Sequence, residues 1–298
     1  MMSRAHITLT LGLLLGLTAA ASAQPGGIDV VWAPERPPPG TLVRITATVA
    51  DSASVERLDG IVAGQPLHFS RASGAYVAYA GIPADASDSV RLALVLRGAA
   101  GSADSLALPI PLHVEPVKES ARSGERLAVA PRFGRAPDSA TAARMARESA
   151  MALEVARRAH DTPRMWEEPF ARPRDSRITS RFGTGRVFNG AVRSRHFGVD
   201  LAGAVGAPVR AANRGVVALV ADFLLAGTAV YIDHGEGLVT GYFHLSKAEV
   251  AEGDTVARGA IVGRVGATGR VTGPHLHWIA RYGTVTVDPL SVVEATRK

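Results

Sequence analysis

Hydrophobic and polar positions alternate along the first third of the chain. Val43, Ile45, Ala47 and Val49 take turns with Arg44, Thr46 and Thr48. The same pattern recurs at Val90, Leu92, Leu94 and Leu96, and again at Leu106, Leu108, Ile110, Leu112 and Val114. A period of two gives a strand one buried and one wet face, as in a layered antiparallel sheet. Turn-rich pieces break the runs: Pro37-Pro38-Pro39-Gly40, Arg71-Ala72-Ser73-Gly74, and the stretch from Gly98 to Ser102.

These runs predict a mainly β protein whose residues 28–115 form an immunoglobulin-like β-sandwich. Residues 116–177 then read as a linker with one helix. Asp138 or Ser139 can cap that helix, and Ala142, Met145, Ser149, Leu153 and Ala156 fall near one face as far as Ala159. From 178 to 298 the apolar runs are short and punctuated by glycine, at Val209–Ala212, Gly215–Ala221, Ala229–Asp233, Gly241–His244, Ala260–Val265 and Leu276–Arg281. No amphipathic helix there is long enough to make the crossovers of a parallel sheet, so a second, antiparallel β domain is expected.

The first residues carry a different signal. Arg4 precedes an apolar stretch from Ile7 to Thr18, and Ala21-Ser22-Ala23 offers small residues for cleavage. This is the layout of a signal peptide over residues 1–23, and the expectation is an exported protein, periplasmic or extracellular, with no stable membrane insertion after cleavage. The chain has no cysteine, which restricts any metal site to His, Asp, Glu and water. Its net charge of +6 suits an anionic wall polymer, and export argues against nucleic acid.

His196, His234, His244, His275 and His277 are five of the nine histidines. His68 and His113 stand isolated in the first region and suggest no site. His275-Leu276-His277 places two imidazoles on one face of a strand. His196-Phe197-Gly198-Val199-Asp200 adds an imidazole and a carboxylate four apart, and both are good ligands for Zn²⁺.

From Arg181 to Pro289 the chain resembles the catalytic domain of the lysostaphin-type (LytM-like) zinc metalloendopeptidases. The resemblance runs in order through Ser180-Arg181-Phe182-Gly183, Val187-Phe188-Asn189-Gly190, His196-Phe197-Gly198-Val199-Asp200, Gly206-Ala207-Pro208-Val209 and Ile232-Asp233-His234-Gly235. It continues through Gly241-Tyr242-Phe243-His244-Leu245-Ser246, Gly253-Asp254-Thr255-Val256, Gly266-Ala267-Thr268-Gly269 and Thr272-Gly273-Pro274-His275-Leu276-His277. It implies one zinc ion per chain held by His196, Asp200 and His277, with His244 and His275 as catalytic histidines around an activated water. His275 is the preferred general base, and His244 the group at the oxyanion or the leaving amine. The implied substrate is the peptide part of bacterial peptidoglycan. His234 reads as structural. Asn189, Arg193 and Arg195, just before the first ligand, are candidates for the substrate groove.

One departure stands out. After His277 comes Trp278-Ile279, where many members carry an aromatic residue followed by Glu. The competing expectation is a non-catalytic regulator that binds and activates a wall amidase, and the intact ligand set favours the enzyme. No motif specifies which peptide bond is cut or an oligomeric state.

Overall fold

A computed structural model describes residues 27–50, 55–98, 103–114 and 124–297. The signal peptide expected at 1–23 lies outside the described residues. The protein is mainly β, as its patterning predicts.

The first region forms two four-stranded antiparallel sheets. One has β1 (Ile28–Ala33), β2 (Leu42–Val49), β6 (Ala75–Gly81) and β5 (Ser70–Ala72), in that order. The other runs β4 (Gln65–Pro66), β3 (Val55–Val62), β7 (Ser89–Gly98) and β8 (Ala103–Pro111). Val43, Ile45 and Ala47 from one sheet and Leu92, Leu94 and Ile110 from the other join one core. The alternation thus resolves into inward and outward faces.

The residues expected to link are structured wherever they are described. β9 (Glu125–Leu127) pairs in parallel with β11 (Gly185–Phe188), which pairs on its other side with β12 (Val192–Arg195). The helix α1 (Ser139–Arg158) starts at Asp138, whose carboxylate accepts from Thr141 N at 2.8 Å. Its packed face departs in part from the expected one: Ala156 is buried as expected, but Ala142 and Ser149 are exposed and Ala152 and Ala159 are buried instead. The reason is polar. Glu148 points inward to accept from Leu224 N at 2.9 Å and fixes the rotation of the helix. Trp166 and Phe170 of the following stretch sit in the main core, and Met165 N and Ala171 N donate to His234 O and Ala212 O.

The C-terminal sheet follows the order β10 (Ile178–Ser180), β13 (Val199–Ala202), β20 (His275–Tyr282), β17 (Leu238–Ala248), β16 (Gly227–Gly235), β15 (Gly215–Phe223) and β18 (Thr255–Val256). Three shorter strands complete it: β14 (Pro208–Arg210) pairs with β19 (Ile261–Val265), and β21 (Val285–Val287) with β20. All of its pairings are antiparallel.

Along β20 the residues divide cleanly between the two faces. Leu276, Trp278, Ala280 and Tyr282 enter the main core, which also holds residues of the first region. His275, His277 and Ile279 face the other way. On that second face α1 covers one half, packing Ala152 and Ala159 on Leu219, Tyr231, Phe243 and Ile279. The other half stays open as a cleft. Ile279, where many lysostaphin-type members carry an acid, is therefore under the helix rather than in the cleft.

The two β regions are joined rather than strung together. Tyr282 OH donates to Pro66 O at 2.7 Å, Leu42 N to Ser291 Oγ at 2.8 Å and Asp288 N to Gly40 O at 2.7 Å. His68 is not isolated: its Nε2 lies 2.9 Å from His160 Nδ1, because β4 and the end of α1 meet here. A shared apolar core makes each half part of the other's stability.

Candidate metal centre

A lateral row of side chains crosses four neighbouring strands, from the open half of the sheet to the edge of the helix. Ser180 stands opposite Asp200, Asp200 opposite His277, and His277 opposite Phe243. Directly paired residues of an antiparallel sheet point to the same face, so backbone register alone gathers these groups. His275, two residues before His277, joins them.

His244 is the exception that needs a device. It follows Phe243, so plain alternation would send it into the core with Tyr242. Opposite Ala229, β17 carries an extra residue, seen as a register shift from Val230↔Tyr242 to Thr228↔Leu245. His244 itself takes φ +62°. A bulge re-aims one side chain, and a non-glycine residue in the left-handed region is a strained conformation found at functional sites. The result brings the His244 ring 5.0 Å from His275 and 5.8 Å from His277, centroid to centroid.

His196 enters from the loop before β13. Its Nδ1–H donates to Arg181 O at 2.9 Å, which leaves the Nε2 lone pair facing Asp200 Oδ1 at 3.1 Å and His277 Nδ1 at 2.8 Å. His277 Nδ1 is 2.7 Å from the same carboxylate oxygen. One ligand atom from each of His196, Asp200 and His277 lies within 4.8 Å of the other two. His196 and Asp200 are buried, with 2% and 5% of their surface exposed. Gly198, between the two, has to be glycine: a Cβ there would stand 2.6 Å from His277 Cε1 and 2.7 Å from Trp278 O.

The electrostatics follow from this crowding. Burial pushes the Asp200 carboxyl up, but its contacts with His196 and His277 outweigh that and hold it well below the usual carboxylate range. Burial lowers His277 to about 4, against the opposing pull of Asp200. His244 is also held well below its ordinary value, first by burial and then by the charges of His277 and His275. Three lone-pair atoms thus converge with few protons to share. Two nitrogens and one oxygen without cysteine suit a divalent cation such as zinc, and the residues present fit one.

His244 and His275 are oriented alike. His244 Nδ1 donates to Thr268 O and His275 Nδ1 to Gly273 O, both at 2.8 Å. Each therefore presents Nε2 to the cleft. His275 Nε2 is 3.6 Å from Asp200 Oδ1.

The remaining expected residues separate. His234 is fully buried away from the cleft, with Nδ1 donating to Arg214 O at 2.7 Å and Nε2 accepting from Thr240 at 2.8 Å. Asn189 is spent on structure, since its amide donates to Val129 O and accepts from Val129 N. Arg195 donates to Ala84 O of the first region at 3.0 Å yet also lines a 240 Å³ cavity beside His196 and His277. Arg193 is exposed and does not line the cavities beside the histidine cluster.

Sequence reading missed Glu125, Arg186 and Arg270. With Phe188, Asp200, His244 and His275 they line a cleft of 570 Å³. Arg186 donates to Asp200 Oδ2 and lies 3.5 Å from Glu125, which accepts from Ser180 Oγ. The available signal was positional: Arg186 and Arg270 each fall between two of the motif blocks.

Comparison with known proteins agrees with this geometry. Residues 194–289 match the model of Peptidase family M23, a family that implies a metal cofactor. The Vibrio cholerae peptidoglycan DD-endopeptidase ShyA is 44% identical over 103 residues, 34% of this chain and 24% of that protein. The Neisseria meningitidis DD-carboxypeptidase/endopeptidase Mpg is 46% identical over 101 residues, 34% of this chain and 23% of that protein. The match thus spans about a quarter of the length of these curated relatives. A Pseudomonas aeruginosa crystal structure provisionally assigned to peptidase M23 superposes with TM-score 0.65 at 27% identity, over 87% of this chain and 96% of that one. Residues 194–289 of this chain are thus a match to the Peptidase family M23 domain.

Proposed function

We propose that the protein is a zinc-dependent endopeptidase that hydrolyses peptide cross-links of bacterial peptidoglycan, exported by its first 23 residues to act in the cell envelope. The observation that carries the reading is the convergence of His196 Nε2, Asp200 and His277 Nδ1 within 4.8 Å, beside two imidazoles whose Nε2 atoms face the same cleft. The names of ShyA and Mpg, both acting on such walls or D,D-bonds, support the substrate class.

His196, Asp200 and His277 would hold the ion. When bound, zinc supplies Lewis acidity, lowering the pKa of water from 15.7 to about 7 and polarising a carbonyl. His275 takes the water's proton at Nε2, and its Nδ1–H bond to Gly273 O steadies the imidazolium. His244 is kept neutral by burial, with Nδ1–H committed to Thr268 O, so its Nε2 accepts from the attacking water and orients it, and His275 hands the proton it took to the departing amine. No Ser or Cys nucleophile is required, so no acyl-enzyme forms. The region 28–115, as an immunoglobulin-like sandwich, braces the back of the catalytic sheet.

The test is digestion of purified peptidoglycan, with released muropeptides read by mass spectrometry. Hydrolysis of a peptide bond is expected, lost on chelation and restored by zinc. If the metal-loaded full chain binds the wall but releases nothing, the reading fails in favour of a regulator of another wall hydrolase.

A further inference from the structure

Two arginines line the 570 Å³ cleft, and they differ in one respect. Arg186 is neutralised, with Asp200 and Glu125 both at its guanidinium. Arg270 is not. Among the described residues no carboxylate lies within salt-bridge reach of it, and its guanidinium has no hydrogen-bond acceptor. Its side-chain contact is the face of Phe188, 3.9 Å from the guanidinium carbon. Burial lowers its pKa, and so does the neighbouring charge, which is another cation, Arg186.

Its position is fixed rather than loose. Arg270 N donates to Leu225 O at 2.9 Å. The preceding Gly269 sits at φ +77°, where a Cβ would collide with Gly227 N and Leu225 O at 2.5 Å. The side chain lines all three cavities around the site: the cleft with His244 and His275, the 240 Å³ cavity with His196 and His277, and a 530 Å³ cavity with Phe133 and Leu224. A half-buried cation without a counter-charge is costly. An arginine held on an aromatic face also keeps its fork of donors free for a planar, bidentate anion.

We propose that Arg270 recognises a free carboxylate of the peptide substrate next to the scissile bond, and so sets a preference for carboxylate-bearing over amidated wall peptides. The proposal rests on the peptidase reading for the nature of the ligand. The carboxylate lies across the Arg270 guanidinium while the scissile amide faces His244 and His275.

The test uses a fluorescein-labelled stem-peptide dimer in which a D-alanyl residue acylates a diamino acid. That diamino acid carries either its free carboxylate or a carboxamide. Fluorescence anisotropy gives the Kd of each for the full wild-type chain, Arg270→Gln and Arg270→Lys. Wild type is expected to bind the carboxylate form about tenfold or more tightly than the amide, the worth of one charge-assisted pair. In Arg270→Gln the two dissociation constants converge to within about twofold, and Arg270→Lys, with charge but no fork, falls between. A wild-type ratio near one, no binding of either peptide, or a ratio undiminished in Arg270→Gln overturns the proposal. Should Arg270→Gln not fold, as judged by its thermal melt, the wild-type and Arg270→Lys ratios decide between the same two outcomes. An Arg270-dependent preference without cleavage of either peptide would sink the peptidase reading and leave this one standing.

Discussion

His234 is a fully buried and His277 a half-buried imidazole of the same sheet, both lowered by burial to about 4, yet their surroundings differ in kind. Around His234 every polar atom has a complement. Its Nδ1–H goes to Arg214 O, its Nε2 accepts from Thr240, Thr240 Oγ1 in turn accepts from Tyr242 OH, and Tyr242 accepts from Ala212 N. Donors and acceptors alternate to the end of the chain, so nothing is left for a ligand. Around His277 the pattern is lone pair against lone pair, with His196 Nε2 and Asp200 Oδ1 as neighbours. A closed hydrogen-bond chain marks a structural histidine. Converging acceptors without donors mark a cation site.

The comparison can be broken most directly at His277. His277→Ala is expected to lower wall hydrolysis at least about a thousandfold and to abolish stoichiometric zinc in the purified protein. The metal-free melting temperature should change little, because the substitution removes a crowded acceptor. A large fall in metal-free stability would mean that the cluster is structural after all.

His234→Ala should do the reverse. Leaving Arg214 O and Thr240 without their partner and opening a cavity costs about 3 kcal/mol, read by urea denaturation. Zinc content and the hydrolysis rate of the folded fraction should persist. Lost zinc binding would place His234 in the functional set.

A smaller effect sharpens the contrast further. His234 titrates near 6.5 when unfolded and at about 4 when folded, so the folded state binds fewer protons between these values. Stability is then fully present above pH 6.5 and falls by about 3 kcal/mol as pH drops to about 4. His160, also lowered to about 4 by burial and by His68, adds to the same slope. His234→Gln should flatten the dependence of the urea midpoint on pH, and an unchanged slope would assign the acid sensitivity elsewhere.

Cutting the chain is not a clean way to isolate the site. Leu42, Ile45 and Tyr79 share a core with Trp278 and Tyr282, so removing residues 28–160 would strip the back of the C-terminal sheet. The pattern of alternation reveals strands but not which sheets share an interior, nor which residues around the helix at Ser139–Arg158 pack into it. β9 is three residues long, and Trp166 and Phe170 carry no period, so only their burial against distant residues gives them a place.

What the sequence determined by itself is local and chemical. Alternation specified strands with two faces, H-x-H put two imidazoles on one of them, and ordered short motifs named the ligand candidates and the family. Tertiary structure decided which groups meet. Register carried Asp200 opposite His277, a bulge turned His244 out of the core, and packing gave Arg186 its carboxylates while leaving Arg270 without one among the described residues. The physical reason is range. Propensity and periodicity act over a few residues, whereas charge pairing, desolvation and lone-pair convergence depend on neighbours from opposite ends of the chain, which only the folded backbone brings within a few ångströms.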